Sequence, residues 1–178
     1  MEEPEVPTEH LHEEMQEHAH QGQSWILGVA LSSALLAALA AVASLKAGHF
    51  ANEAMMSQIE AANQWSYFQS KSIKEAQLST KTELLAALDK PASEADQAKL
   101  AGYAQDKEKI QRRAGELERE AKRLLYTHQI LAQSVTLFQI SIAVGAIAAL
   151  TRRKPFWFAS LGAGAVGIYF LVQALAGG

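Results

Sequence analysis

The sequence predicts an all-α integral membrane protein with three transmembrane helices. A long antiparallel helical hairpin of the coiled-coil type is predicted between the first and second of them. Three uncharged apolar runs of 20 or 21 residues carry this prediction: 25–45, 131–150 and 156–175. An α-helix rises about 1.5 Å per residue, so about 20 residues cross the hydrocarbon core of a bilayer. A soluble chain of 178 residues cannot cover three helices that are apolar on all sides.

The segment between the first two apolar runs, residues 46–130, is predicted to form the hairpin. No proline lies between Pro7 and Pro91, and an interior proline is what breaks a helix. Residues 89–93 carry a turn signal in which Ser93 is a candidate N-cap for the returning helix. The chain therefore permits two long helices joined by a short turn. A lone hairpin buries little surface, so a homo-oligomer is expected.

The returning helix has the clearer periodicity, with mostly apolar residues at alternating intervals of three and four. This is the spacing of the a and d sites of a coiled coil, and it continues without a phase break into the second apolar run. The series is Leu100, Tyr103, Lys107, Ile110, Ala114, Leu117, Ala121, Leu124, His128, Leu131, Val135, Phe138, Ile142 and Gly145.

On the outgoing helix the predicted seam is less regular, and a second set of side chains widens it. The predicted seam is Ile59, Ala62, Ser66, Ile73, Ala76, Leu84 and Leu88. The second set is Phe50, Ala54, Ala61, Trp65 and Phe68. A stripe this wide fits either contact with more than one helix or a better-covered contact between two helices.

The most distinctive segment is residues 63–74 of the outgoing helix, which reads Asn-Gln-Trp-Ser-Tyr-Phe-Gln-Ser-Lys-Ser-Ile-Lys. Aromatic side chains with interleaved Gln and Lys suit the recognition of a partner helix or of lipid headgroups. Alternatively, Trp65 and Phe68 pack between helices while the lysines are solvated. The candidate interaction residues are Asn63, Trp65, Tyr67, Phe68, Gln69, Lys71 and Lys74.

Residues 63–74 resemble the signature of the bacterial domain-of-unknown-function family 4337. In that signature a tryptophan, an aromatic pair, a glutamine and a Lys-Ser-Ile-basic run recur in this order. The His/Glu-rich N-terminal segment, Asn52-Glu53-Ala54 and the Leu-Thr-Arg-Arg-Lys sequence at 150–154 also agree with the family. The resemblance covers nearly the whole chain. It implies a three-span membrane protein, without an assigned activity.

The first 24 residues are predicted to form an acidic, His-rich disordered tail. They contain seven glutamates, whereas all sixteen Lys and Arg residues lie at Lys46 or later. Neutral imidazole is a common ligand for zinc, copper and nickel. The alternative is a disordered tail that binds metal weakly and without a specific function. The candidate metal ligands are His10, His12, His18 and His20.

No catalytic site, cofactor or nucleic-acid partner is predicted. The chain contains no cysteine, which excludes thiolate catalysis and Cys-based metal sites. It has neither a nucleophile–base set nor a strongly basic field. Residues 162–167 match GxGxxG, but they lie inside an apolar run, so close helix packing explains them better than dinucleotide binding. Two small-residue rows with four-residue spacing support such packing: Ala159, Ala163 and Gly167, and Ser33, Ala37 and Ala41.

Two functions fit these features. The first is a non-enzymatic, membrane-anchored coiled-coil scaffold or interaction module that self-assembles. The second is a small oligomeric channel in which Gln133 and Gln139 of the second apolar run face the lumen. No apolar run contains Asp, Glu, Lys, Arg or His, although ion pathways usually use such residues. His128 is a candidate pH-sensitive group, and the alternative is a hydrogen-bonded seam residue.

The apolar runs predict a membrane protein, and the resemblance to a bacterial family implies the bacterial cytoplasmic membrane. The charges give conflicting orientations. The basic residues 152–154 lie in a very short loop, which favours a cytoplasmic loop and an extracytoplasmic hairpin. Lys46, Arg119, Lys122 and Arg123 flank the runs on the hairpin side and favour the opposite orientation. Because the positive-inside rule is strongest for short loops, an extracytoplasmic hairpin is preferred.

Overall fold

The computed structural model describes the backbone of residues 8–177 and the side chains of residues 24–176. This part of the chain is all-α, as predicted, and it contains three helices. They are α1 (Thr8–Ala87), α2 (Glu94–Thr151) and α3 (Lys154–Gly177). The backbone is helical from Thr8, whereas the sequence predicts a disordered tail over residues 1–24. The absence of proline between Pro7 and Pro91 permits this extension of α1.

The break between α1 and α2 includes the predicted turn at 89–93, and its geometry follows from local capping. Asp89 adopts a left-handed φ of 56°. The amide of Lys90 donates to the carbonyl of Leu85 at 2.9 Å, and the amide of Asp89 donates to the carbonyl of Ala86 at 3.1 Å. These two bonds form a Schellman motif, which satisfies the last carbonyls of α1.

The start of α2 and its end are also capped. Ser93 occupies the expected N-cap position, where its hydroxyl accepts a 3.3 Å hydrogen bond from the amide of Ala95. At the other end, Arg152 has a φ of 52°. The amide of Arg153 donates to the carbonyl of Ala148 at 3.2 Å. A second Schellman motif therefore separates α2 from α3 within a few residues.

The described residues fall into two compact units. The first unit contains the residues up to Ala47 together with those from Gln129 onward, and the second unit is Gly48–His128. Each of the three helices contains a stretch that is long and apolar enough to span a membrane. In the most apolar windows of α1, α2 and α3, only 17%, 28% and 28% of the residues are buried within the protein. Most of this apolar surface is therefore left for another apolar environment.

In the first unit, serines occupy the centre of the packing between α2 and α3. Ser134 donates to the carbonyl of Gly167 at 2.9 Å. Ser141 and Ser160 each donate to the other residue's carbonyl, at 2.5 and 2.7 Å. These three serines are fully buried, together with Leu131 and Phe138. Small side chains that satisfy their own hydroxyls allow this close approach.

The predicted seam is wrong at two positions in the second apolar run. Val135 and Ile142 are half-buried, whereas their neighbours Ser134 and Ser141 are buried. The physical reason is that α3 packs against α2 here, so the buried face of α2 turns toward the residues that hydrogen-bond to α3. The predicted small-residue rows are corrected as well, because Ala37, Ala41 and Ala159 are exposed.

In the second unit, segments of α1 and α2 pack side by side in opposite directions. Polar contacts between described side chains join the two helices. The α2 partners run overall from residue 118 to residue 96 as the α1 residues run from 65 to 81. The pairs are Trp65 with Glu118, Lys71 with Asp106, Glu75 with Lys107, and Lys81 with Asp96. On α2, the predicted seam residues Ile110, Ala114, Leu117, Ala121 and Leu124 are buried.

On α1, the side of the helix that faces α2 differs from the predicted seam. Ala54 and Ala61 are buried, and Trp65 and Phe68 are half-buried, so the second set of side chains forms the packed face. The predicted seam itself is exposed. We call this row the outer stripe; it comprises Ile59, Ala62, Ser66, Ile73, Ala76, Leu84 and Leu88. The alanines on one face of α1 let α2 approach closely, and the larger aliphatic side chains lie exposed on another face of α1.

Candidate functional site

The aromatic motif of α1 lies at the contact between α1 and α2. Trp65 donates its indole N–H to Glu118 Oε1 at 2.7 Å. The ring of Trp65 meets the ring of Phe68 edge-on, with centroids 5.6 Å apart and an interplanar angle of 74°. Edge-to-face contacts of this kind add to the stabilisation gained by burial alone. These two aromatic residues therefore pack between helices.

Lys71 is also part of the contact, contrary to the interpretation that the motif's lysines are solvated. Its side chain is 16% exposed and its Nζ lies 2.7 Å from Asp106 Oδ2. The same Nζ lies 5.4 Å from the ring centroid of Tyr67 and 5.3 Å from that of Tyr103. Two aromatic faces and a carboxylate thus surround one ammonium group, which is a favourable setting for a partly desolvated cation.

Lys107, the charged residue in the predicted seam of α2, has a similar environment. It pairs with Glu75, and its Nζ lies 5.6 Å from the ring centroid of Phe68. Its position in the seam is therefore compatible with packing, because the charge is paired and the aliphatic stem can cover apolar surface. The other candidate residues of the motif lie outside this contact, and their side chains are exposed: Asn63, Gln69 and Lys74.

The Lys71–Asp106 pair shifts the ionisation of both groups. The hydrogen bond from Lys71 is the main reason that the pKa of Asp106 lies below its ordinary value of 3.8. The same hydrogen bond, followed by one with Tyr67, raises the pKa of Lys71 above 10.5. Both shifts favour the charged forms, so the pair stabilises the contact between α1 and α2 while both groups are ionised.

This pair predicts a defined pH dependence of stability. Since the pKa of Asp106 is lowered in the folded state, its contribution to the free energy of unfolding is present above pH 3.8 and is lost as the pH falls through the lowered pKa. Since the pKa of Lys71 is raised in the folded state, its contribution to the free energy of unfolding is present below pH 10.5 and is lost as the pH rises through the raised pKa. Asp106→Asn should therefore lower Tm most near neutral pH, with the difference from wild type narrowing at both extremes. Thermal unfolding at several pH values tests this, and a constant difference would contradict it.

The second unit contains a hollow lined by residues that lie close in sequence to the apolar runs, and we call it the proximal hollow. It has a volume of about 440 Å³. Its lining consists of Ala51, Ala54, Met55, Gln58, Ala121, Lys122, Leu125 and His128. The candidate pH-sensitive residue His128 is thus half-buried at one edge of this hollow.

A second hollow of about 490 Å³ lies between the same two helices and has a different lining. Three carboxylates and two guanidinium groups contribute to it: Glu53, Glu60, Glu120, Arg113 and Arg123. No carboxylate lines the proximal hollow. The two hollows therefore differ in charge, although they share the same pair of helices.

The remaining candidates are not brought together by the structure. Within residues 24–176, no group of three His, Asp or Glu side chains is placed to hold a metal ion. The side chains of His10, His12, His18 and His20 lie outside the described residues, so their metal site stays a prediction. Gln133 and Gln139 are both exposed on α2.

Three residues of the contact were not predicted to face the other helix: Glu75, Asp106 and Glu118. Their partners lie 32 to 53 residues away along the chain. One signal was available, because a lysine at a seam position, such as Lys107, requires a carboxylate on the facing helix.

A search of curated proteins and a search of solved structures find no match to this chain. A family model matches residues 25–177, which include all three helices' apolar stretches and the aromatic motif. The chain therefore belongs to the family described as domain of unknown function DUF4337.

Proposed function

We propose that this protein is a non-enzymatic, multi-pass protein of the bacterial cytoplasmic membrane that self-assembles into a scaffold through an antiparallel coiled-coil hairpin. The three apolar stretches support the membrane location, because most of their residues are not buried within the protein. The hairpin corresponds to the second unit. We place it on the extracytoplasmic side, since basic residues 152–154 occupy a very short connection.

The outer stripe is the observation that carries self-assembly. Ile59, Ile73 and Leu84 are 54%, 59% and 62% exposed. Ser66 donates its hydroxyl to the carbonyl of Ala62 at 3.0 Å, so its polar group is already satisfied within α1. The stripe extends over roughly 45 Å of helix, given a rise of about 1.5 Å per residue. An exposed apolar row of this length is what a further helix would cover.

A second copy of the same stripe is the proposed partner. In a two-fold interface the same surface is used by both copies, so a row of aliphatic and small residues is complementary to itself. The contact between α1 and α2 uses a different face of α1, with Ala54 and Ala61 buried there. Assembly through the outer stripe is therefore compatible with an intact hairpin.

We expect Ile73→Glu to convert the oligomer into smaller species without unfolding the helices. A carboxylate at the centre of an apolar interface would be desolvated and would face its own copy in the partner. Size measurement by light scattering and cross-linking of the full chain in mild detergent tests this. Met56→Glu is the matched control, because Met56 is 64% exposed and lies about 100° from Ile73 around the axis of α1. Self-assembly through the stripe is excluded if the wild-type chain is monomeric in both detergent and lipid.

A channel is the second candidate, favoured by the exposure of Gln133 and Gln139 in the uncharged stretch of α2. At about 100° per residue, these two side chains are separated by about 120° around the helix, so a narrow lumen would receive only one of them. The scaffold is therefore preferred. Ion flux through vesicles that contain verified oligomer, abolished by Gln133→Leu or Gln139→Leu, would favour the channel instead.

A further inference from the structure

The proximal hollow has the shape and chemistry of a small ligand site. Its floor contains the buried alanines Ala54 and Ala121, whose short side chains leave the space open. Met55 and Leu125 form apolar walls and are 62% and 46% exposed. The volume of about 440 Å³ lies within the range of about 300–1,000 Å³ that is usual for ligand pockets.

The charges of the hollow select an anion. Lys122 is the charged side chain in the lining, and Gln58 and His128 add polar groups. No carboxylate lines this hollow, whereas the second hollow contains both acidic and basic residues. An anionic group placed beside Lys122 would therefore gain a charge-assisted contact in a hollow whose lining contains no carboxylate.

The combination of an apolar floor with a single cation indicates an amphiphile. A soluble polyanion would leave Met55, Leu125 and the alanines in contact with polar groups. A phospholipid instead offers an acyl chain for the floor and a phosphate for the lysine. Lys122 precedes the apolar run at Leu131 by nine residues, or about 14 Å along a helix. Arg119 lies one helical turn before Lys122, and basic residues next to a span attract anionic lipids.

We propose that the proximal hollow binds one anionic phospholipid of the surrounding bilayer. The phosphate contacts Lys122, and one acyl chain lies along Ala54, Met55 and Leu125. This proposal rests on the membrane location given in the proposed function, but it does not require self-assembly.

Native mass spectrometry of the full chain, released from nanodiscs, tests the proposal. Nanodiscs contain phosphatidylglycerol and phosphatidylcholine with identical acyl chains. We expect the anionic lipid to be retained about tenfold more than the zwitterionic one, as a single charge-assisted contact can provide. Lys122→Gln should abolish this preference. Ala51→Phe, which fills the hollow, should reduce the retention of both lipids.

Arg123→Gln is the matched control, because Arg123 carries the same charge at the next position but lines the second hollow. It should leave lipid retention unchanged. Equal retention of the two lipids by the wild-type protein would overturn the proposal. An equal effect of Arg123→Gln and Lys122→Gln would also overturn it, because diffuse surface charge would then account for the preference. Since Lys122 is exposed, its substitution is informative even if Ala51→Phe does not fold.

The outcomes also separate this proposal from the scaffold. A monomer that retains the anionic lipid would contradict self-assembly and support the lipid site. An oligomer without a lipid preference would overturn the lipid site alone. Because the chain contains no cysteine, Leu125→Cys places a single thiol in the hollow. Efficient disulfide formation between copies at this position would show that a second chain occupies the hollow, and it would overturn lipid binding there.

Discussion

Replacing Trp65 with alanine is expected to destabilise the packing of the second unit by about 3 kcal/mol. This value is near the lower end of the range for replacing a large aromatic residue with alanine, because Trp65 is half-buried. The substitution removes the edge-on contact with Phe68 and the hydrogen bond from the indole N–H to Glu118. Urea unfolding of the full chain in mild detergent, followed by circular dichroism, measures the change. Stability equal to that of the wild type would show that Trp65 does not act by packing.

Two further substitutions separate the contribution of the Trp65 hydrogen bond from that of ring packing and test whether the motif acts by recognition. Trp65→Phe keeps a ring but removes the donor to Glu118, and we expect a loss of about 1 kcal/mol. Lys74→Ala should change stability by less than about 0.5 kcal/mol, because Lys74 is exposed. If Lys74→Ala abolished binding to a partner while the fold stayed intact, the motif would be a recognition element and not a packing element.

The three helices and the turn between α1 and α2 could be predicted because the signals that set them are local. Pro91 limits α1 and Ser93 caps α2, and both act within one helical turn. Apolar length likewise identifies stretches that are long and apolar enough to span a membrane, without knowledge of any partner helix. The left-handed residue Asp89 is compatible with this local logic, since Asp tolerates the left-handed region better than most non-glycine residues.

The face of α1 that packs against α2 could not be predicted from apolar spacing. Two rows of side chains on α1 have helical periodicity, and spacing alone does not tell which one a neighbour covers. The row with larger aliphatic residues, including Ile59 and Ile73, is exposed, whereas Ala54 and Ala61 are buried. Close approach of two backbones requires small residues, so the smaller side chains form the contact.

The environment of Lys71 shows why the candidate site was only partly predictable. One of the two interpretations of the sequence places its side chain in solvent, since a lysine among polar residues usually lies there. Its partners Tyr103 and Asp106 belong to α2, and the ion pair spans 35 residues of sequence. The buried serines of the first unit raise the same difficulty, because Ser134 and Ser141 are recognised as core residues only once α3 supplies their acceptors.

Gly167→Leu should disrupt the packing of α3 against α2 in the first unit. A Cβ atom at Gly167 would lie 2.8 Å from both Cδ1 and Cε1 of Phe138. Phe138 is fully buried, so a shift of its ring would disturb the side chains packed around it. Overpacking of a close-packed core costs about 1–3 kcal/mol or more, and leucine adds three carbons beyond the Cβ. The hydrogen bond from Ser134 to the carbonyl of Gly167 would also be strained.

Alanine substitutions give the sharper comparison, because their expected effects have opposite signs. Alanine is favoured over glycine in a helix by about 1 kcal/mol. At Gly162 nothing lies within 4 Å of the new Cβ, so Gly162→Ala should be neutral or stabilising. At Gly167 the clash with Phe138 opposes this gain, and Gly167→Ala should be destabilising. Thermal unfolding of both variants in the same detergent decides the matter. If Gly167→Ala raised Tm as Gly162→Ala does, α3 would not pack against Phe138 through this glycine.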